Sequence, residues 1–201
     1  MKKNKTFKTI LLLVAIGLVG VGLLALTQST EAPTENETTE QPQSDAARFK
    51  ADYSGVSGDN RFIYATNDEV LSLFENGTGL VFLGFPECPW CQSLSSIVDE
   101  AAKKEGLDKI NYVDIREDRQ SNSSIYQSLI SILEPYLEKD EQEEPIIYVP
   151  DVTAVKDGTI VGRYKMEEAS QEEMSSQSSY WTAERRERAV EQVQEMIKKS
   201  L

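Results

Sequence analysis

The sequence predicts an α/β fold, and three observations carry that expectation. Short apolar runs alternate with segments of helical periodicity from about residue 60 to the C-terminus. One such run, Gly79-Leu80-Val81-Phe82-Leu83-Gly84-Phe85, leads into Cys88-Pro89-Trp90-Cys91 and then a helical pattern. Near the end, 152–156 and 159–164 flank Asp157-Gly158, the preferred pair for a tight hairpin.

Length and composition bound the rest. The chain has 201 residues, enough for one ordinary domain with appendages. Its formal charge of −13 argues against nucleic acid or an anionic membrane surface as a partner. With no histidine, imidazole acid–base chemistry and most zinc sites are excluded. Two cysteines supply half of a structural zinc site, so no metal is expected. The glycines follow no phosphate-binding pattern, so no nucleotide cofactor is expected either.

Residues 1–26 read as a targeting segment. Lys2, Lys3, Lys5 and Lys8 precede an uncharged run of 17 residues, 10–26, at the short end of a bilayer-spanning helix. The positive flank stays inside the cell, which places the following domain outside. Two fates are open: a retained single-pass anchor, or secretion after cleavage. The run exceeds a usual signal core and no clean small-x-small site follows it, which favours the anchor. Residues 27–47 are rich in Thr, Glu, Gln, Ser and Pro and read as a flexible tether.

A domain is expected over 48–201. Residues 61–65 form a strand candidate. Thr66 and Glu69 make a capping box for a helix carrying Val70, Leu71, Leu73 and Phe74, which stops at Asn76-Gly77. After the strand at 80–85, a helix is expected over 92–104, with Leu94, Ile97, Val98 and Ala101 on its core face and Gly106 at its end. A strand follows at 110–115. Residues 116–145 read as a helical insertion, either one amphipathic helix or two broken at Pro135. The acidic cluster at 138–144 reads as a solvated face leading back into Ile146-Ile147-Tyr148-Val149. Residues 167–179 read as a polar loop. A last helix over 182–199 buries Ala189, Val190, Val193, Met196 and Ile197.

Cys88 and Cys91 are the chain's only cysteines, one helical turn apart between a strand and a helix, which is the redox-motif pattern. The element order, this motif, and Pro150 followed eight residues later by Gly158 in Lys156-Asp157-Gly158 resemble the thioredoxin-like superfamily. The resemblance covers about residues 60–200. It implies a central mixed sheet flanked by helices and a cis peptide bond at Val149-Pro150. The run 85–91, Phe-Pro-Glu-Cys-Pro-Trp-Cys, further resembles membrane-anchored or secreted thioredoxin-like proteins of Gram-positive bacteria, a group that includes bacteriocin transport accessory proteins. Two departures stand out. Phe82 occupies the position where many thioredoxins bury an aspartate, leaving Glu87 as a substitute or as a plain exposed residue. Pro-Trp separates the cysteines instead of Gly-Pro or Pro-His, so redox direction does not carry over by analogy.

The resemblance implies that Cys88, at a helix N-terminus that favours its thiolate, attacks disulfides, and that Cys91 resolves the mixed disulfide. Substrate contact is expected from Trp90, Pro89, Val149 and Pro150, with Phe85 either part of that collar or core. The competing view of the pair is a structural disulfide, but so short a loop constrains the unfolded chain little. The expected function is therefore an extracytoplasmic thiol–disulfide oxidoreductase. Its expected partners are thiols or disulfides of exported proteins or peptides and a membrane redox partner. The alternative is a non-catalytic binding or accessory module for peptide or bacteriocin export. The insertion reads as a structural elaboration, with cover for the site edge as the other possibility.

Overall fold

The computed structural model describes residues 43–201; the expected anchor and residues 27–42 of the expected tether lie outside them. The centre is a five-stranded mixed sheet of order β1-β3-β2-β6-β7. Strands β1 (Phe62–Tyr64), β2 (Gly79–Gly84) and β3 (Ile110–Asp114) run parallel; β6 (Asp151–Lys156) pairs antiparallel with β2, and β7 (Thr159–Arg163) pairs antiparallel with β6. Side chains alternate between two faces. Leu80 and Phe82 point to a core built with α1 (Asp45–Asp52), α3 (Pro89–Lys104) and α7 (Ala183–Ser200). Val81 and Leu83 point to a second core built with α2 (Asn67–Asn76) and α5 (Ser124–Leu133). Burial on both faces explains the unbroken apolar run of β2. Among the described residues, no helix is long and apolar enough to cross a membrane.

Local signals fix several joints. Thr66 accepts the Glu69 N–H at 3.3 Å while the Glu69 carboxylate accepts the Thr66 N–H at 2.8 Å, which completes the capping box. Asp157 and Gly158 both adopt positive φ, 49° and 73°, in the β6–β7 turn. A Cβ on Gly158 would stand 2.3 Å from the Glu75 carbonyl oxygen, so this turn packs against the end of α2.

Outside the active site, the structure departs from the sequence expectations in four places. Ordered structure begins earlier than residue 48, because Asp45, Ala46 and Ala47 are the first turn of α1, capped by Ser44. Phe49 anchors that helix, stacked on Phe62 at 3.8 Å, and the Asp45 carboxylate accepts the Tyr64 N–H at the sheet edge. The insertion divides at Asn122 and Ser123: α4 (Arg116–Ser121) ends on left-handed Asn122, and Ser123 caps α5. Pro135 lies in a 3-10 turn, Glu134–Tyr136, beyond the end of α5. The acidic stretch is exposed but forms a small hairpin, β4 (Glu138–Lys139) with β5 (Pro145–Ile146), separate from the main sheet. Finally, the stretch read as a polar loop holds a 3-10 turn, Glu173–Ser175, and leads into α6 (Gln177–Tyr180) with Tyr180 fully buried.

A buried charge ties the insertion to the sheet. Asp151, at the start of β6, is 4% exposed and pairs with Arg163 of β7 and with the Thr153 hydroxyl at 2.7 Å. Arg163 also donates to the Tyr136 carbonyl at 2.6 Å, while its buried Nε has no partner among the described residues. Removing one partner of such a pair leaves a desolvated charge. Asp151→Ala is therefore expected to lower unfolding free energy by about 3 kcal/mol in a urea titration. A loss under about 1 kcal/mol would show the pair to be effectively solvated.

Candidate active site

The site is assembled where β2 ends against the first turn of α3. Gly84 is the last residue of β2, and a Cβ there would stand 3.1 Å from the Cys91 sulfur and 2.8 Å from Phe82 Cε1. Glycine thus lets the helix seat its second cysteine on the strand. The chain then turns through Phe85, Pro86 and Glu87, closed by the Cys88 N–H donating to the Phe85 carbonyl at 3.1 Å. The Gln92 side chain donates to Pro86 O at 2.8 Å and to Asp52 O at 2.7 Å, binding this turn to the end of α1.

The helix starts at Pro89, three residues earlier than the apolar periodicity predicts. Proline suits the first helical position, where its missing N–H has no intrahelical partner to lose. Cys88 is therefore the N-cap, and its sulfur stands where a serine or aspartate oxygen usually does. It accepts the Cys91 N–H at 3.2 Å. Opposite, Val149-Pro150 is a cis peptide, and the Cys88 thiol donates to the Val149 carbonyl at 3.8 Å. The structure thus brings Cys88, Cys91 and Val149 together. The two thiols are unbonded; Cys88 is 6% exposed and Cys91 fully buried.

The two sulfurs are driven in opposite directions. The hydrogen bond from the Cys91 thiol, with backbone N–H groups of Cys91 and Trp90 and the charge of Arg119, lowers the Cys88 pKa to about 7 against the cost of its burial. Burial, followed by the hydrogen bond to and charge of Cys88, pushes the Cys91 thiol far up. One group is poised to be a thiolate near neutrality, and the other holds its proton.

The remaining expected residues fall as follows. Pro89 is exposed and Trp90 half-buried, edge-on to Tyr180 at 5.4 Å. Val149 and Pro150 are half-buried, and Phe85 packs partly into the core. Phe82 is fully buried, so no carboxylate stands at that strand position. Glu87 is exposed and paired with Arg116; the hydrogen bond from its own backbone N–H, and after it that from Arg116, holds its carboxyl below the usual range. Sequence reasoning missed Arg119 and Tyr180. Each comes from a distant segment, and only the aromatic pair Tyr180-Trp181 within a polar stretch signalled the second. Among the described residues, no cluster of three or more His, Cys, Asp or Glu forms a metal site.

Alkylation of the reduced full-length chain by iodoacetamide tests this asymmetry. The thiolate fraction of Cys88 rises with pH, so its modification rate should climb with a midpoint at about pH 7, with Cys91 left unmodified. A midpoint at the ordinary cysteine value, about 8.5, would remove the proposed activation.

No family model matches this chain, and no curated protein matches it. The chain forms an α/β domain with a mixed five-stranded sheet flanked by helices and a closely spaced thiol pair, an architecture compatible with a thioredoxin-like fold.

Proposed function

We propose that this chain is a thiol–disulfide oxidoreductase that works outside the cell membrane on exported proteins or peptides. The observation that carries the proposal is the pairing of an activated Cys88, at the N-cap of α3, with a buried, protonated Cys91 one turn away. In the reducing direction the Cys88 thiolate attacks a substrate disulfide and releases one substrate sulfur. Cys91 then loses its proton and attacks Cys88, the Cys88–substrate bond breaks, and the second substrate sulfur leaves. Two electrons pass to the substrate, and Cys88–Cys91 becomes a disulfide. The Val149 backbone, with Trp90, Pro89 and Pro150 around it, offers an extended peptide an edge to lie against. Residues 1–26 would hold the domain, which includes α1 and the insertion at 116–145, to the membrane through the tether that precedes Ser44. The likeness to Gram-positive anchored forms and to bacteriocin transport accessory proteins belongs to this proposal and points to exported polypeptides as substrates. A membrane redox partner would restore the dithiol.

The slight exposure of Cys88 favours a second reading, a binding module for exported peptides that does not turn over. Equilibration of the full-length chain with glutathione buffers, followed by thiol counting, separates the two. Cys88 is activated only to about pKa 7, so its thiolate is stabilised far less than in strong oxidants. The expected potential is near the thioredoxin value of about −270 mV, and Cys88→Ser should abolish disulfide turnover. A potential near about −120 mV would reverse the direction to oxidation. A pair that never exchanges would leave the binding module.

A further inference from the structure

The Val149 carbonyl faces Cys88, yet the main sheet does not carry the segment that leads to it. Strand β6 begins at Asp151, the ladder partner of Leu83 on β2. Residues 147–150 lie outside any strand, and β5 before them pairs with β4 in the separate hairpin. The place of Val149 therefore depends on what holds Ile147 on one side and Asp151 on the other. Ile147 is fully buried in the second core, where its N–H needs a protein partner. That partner is the Tyr126 hydroxyl of α5, at 3.4 Å. Asp151 pairs with Arg163, which also donates to the Tyr136 carbonyl at 2.6 Å, its guanidinium carbon 5.9 Å from the Tyr136 ring centre. Tyr136 leads through Leu137 into β4, and β4 holds β5 with Glu138 opposite Ile146. One guanidinium thus ties both ends of the loop, directly at Asp151 and through Tyr136 and the hairpin at Ile146. Tyr126, Tyr136 and β4 all belong to the insertion at 116–145.

We propose that the insertion positions the Val149 carbonyl for polypeptide substrates, with Tyr126 and Arg163 as its positioning residues. This rests on the oxidoreductase reading above. Only residues 148–150 separate the two fixed points, so a shift of either moves the carbonyl that an extended peptide's N–H would meet. The thiol of Cys88 donates to that carbonyl, but its thiolate has no proton to give. The reactive form therefore leaves the Val149 oxygen free for the substrate. The bond chemistry is unchanged: the Cys88 sulfur bonds to one substrate sulfur, and the other leaves with the electron pair of the broken disulfide. A small aromatic disulfide has no backbone N–H to place and makes no use of this edge. The insertion thus favours disulfides of extended polypeptides over small ones, by fixing the loop beside the thiols and not by altering the thiols.

The test gives the full-length reduced chain two disulfides. One is 5,5′-dithiobis(2-nitrobenzoate), and the other is an unstructured synthetic peptide whose single cysteine carries a thionitrobenzoate group. Attack by Cys88 releases thionitrobenzoate from either. Tyr126→Phe removes one oxygen and keeps the ring in the core. Arg163→Lys keeps a positive charge against Asp151 and loses the planar fork that reaches two partners. Both variants should raise the peptide concentration at half-maximal rate roughly 5-fold, the net worth of one hydrogen bond. The plateau rate, the rate with the small disulfide and the alkylation midpoint of Cys88 should stay at wild-type values. If Arg163→Lys does not fold, Tyr126→Phe alone decides. Unchanged half-saturation by the peptide would overturn the positioning role. So would equal slowing with both disulfides, since that reports disturbed packing alone. Wild type that reacts with the small disulfide but shows no saturation by the peptide would overturn it too, with the oxidoreductase reading intact. Wild type that reacts with neither would overturn that reading, and the positioning role with it.

Discussion

The approach of a helix to a bare strand end is the constraint on which the site depends. Gly84 has no side chain to hold α3 away, so Cys91 comes to rest against the sheet and loses all contact with water. Everything else at the site follows from that seating. Cys88 falls at the N-cap, its sulfur meets the Cys91 N–H, and its thiol faces the Val149 carbonyl. A larger residue at Gly84 would have to displace both Phe82 and Cys91, and the core tolerates such overpacking poorly.

The same chemical group is pushed two ways over one helical turn. Cys88 is offered hydrogen bonds that stabilise a negative sulfur, whereas Cys91 is offered burial and a neighbour that is itself negative. Separation of pKa values between neighbouring groups divides labour between them. Tyr53 and Tyr112 add hydroxyls to a core that also holds stacked and edge-on aromatic rings, Phe49, Phe62 and Phe82 among them. Phenols of this kind supply hydrogen bonds without the cost of a buried charge.

Much of this fold was legible because its signals are local. The capping box at Thr66, the apolar run of β2, the Asp157-Gly158 turn and the buried stripe of α7 all declare themselves within a few residues. The spacing of Cys88 and Cys91 and their place between strand and helix were equally plain. What escaped depends on contacts distant in sequence. The first turn of α1 reads as tether by composition, and what fixes the helix is distant in sequence, chiefly Phe49 stacked on Phe62. The break at Asn122 needs a left-handed residue that periodicity does not register, whereas Pro135 drew attention to the wrong place. Tyr180 belongs to the site only through its ring on Trp90.

Helix α7 closes the chain, and its Ala189, Val190, Val193, Met196 and Ile197 share one core with both cysteines. Tyr180 and the segment just before that helix hold Trp90 in place, with the Arg185 guanidinium 4.8 Å from the Tyr180 ring centre and bonded to Glu173 at 2.8 Å. The thiol pair lies in the first third of the domain, so roughly two thirds of the domain must still be made after the cysteines themselves. A chain that emerges N-terminus first leaves the core around both sulfurs open until α7 docks. A product terminated before that helix carries the motif without the packing that seals it.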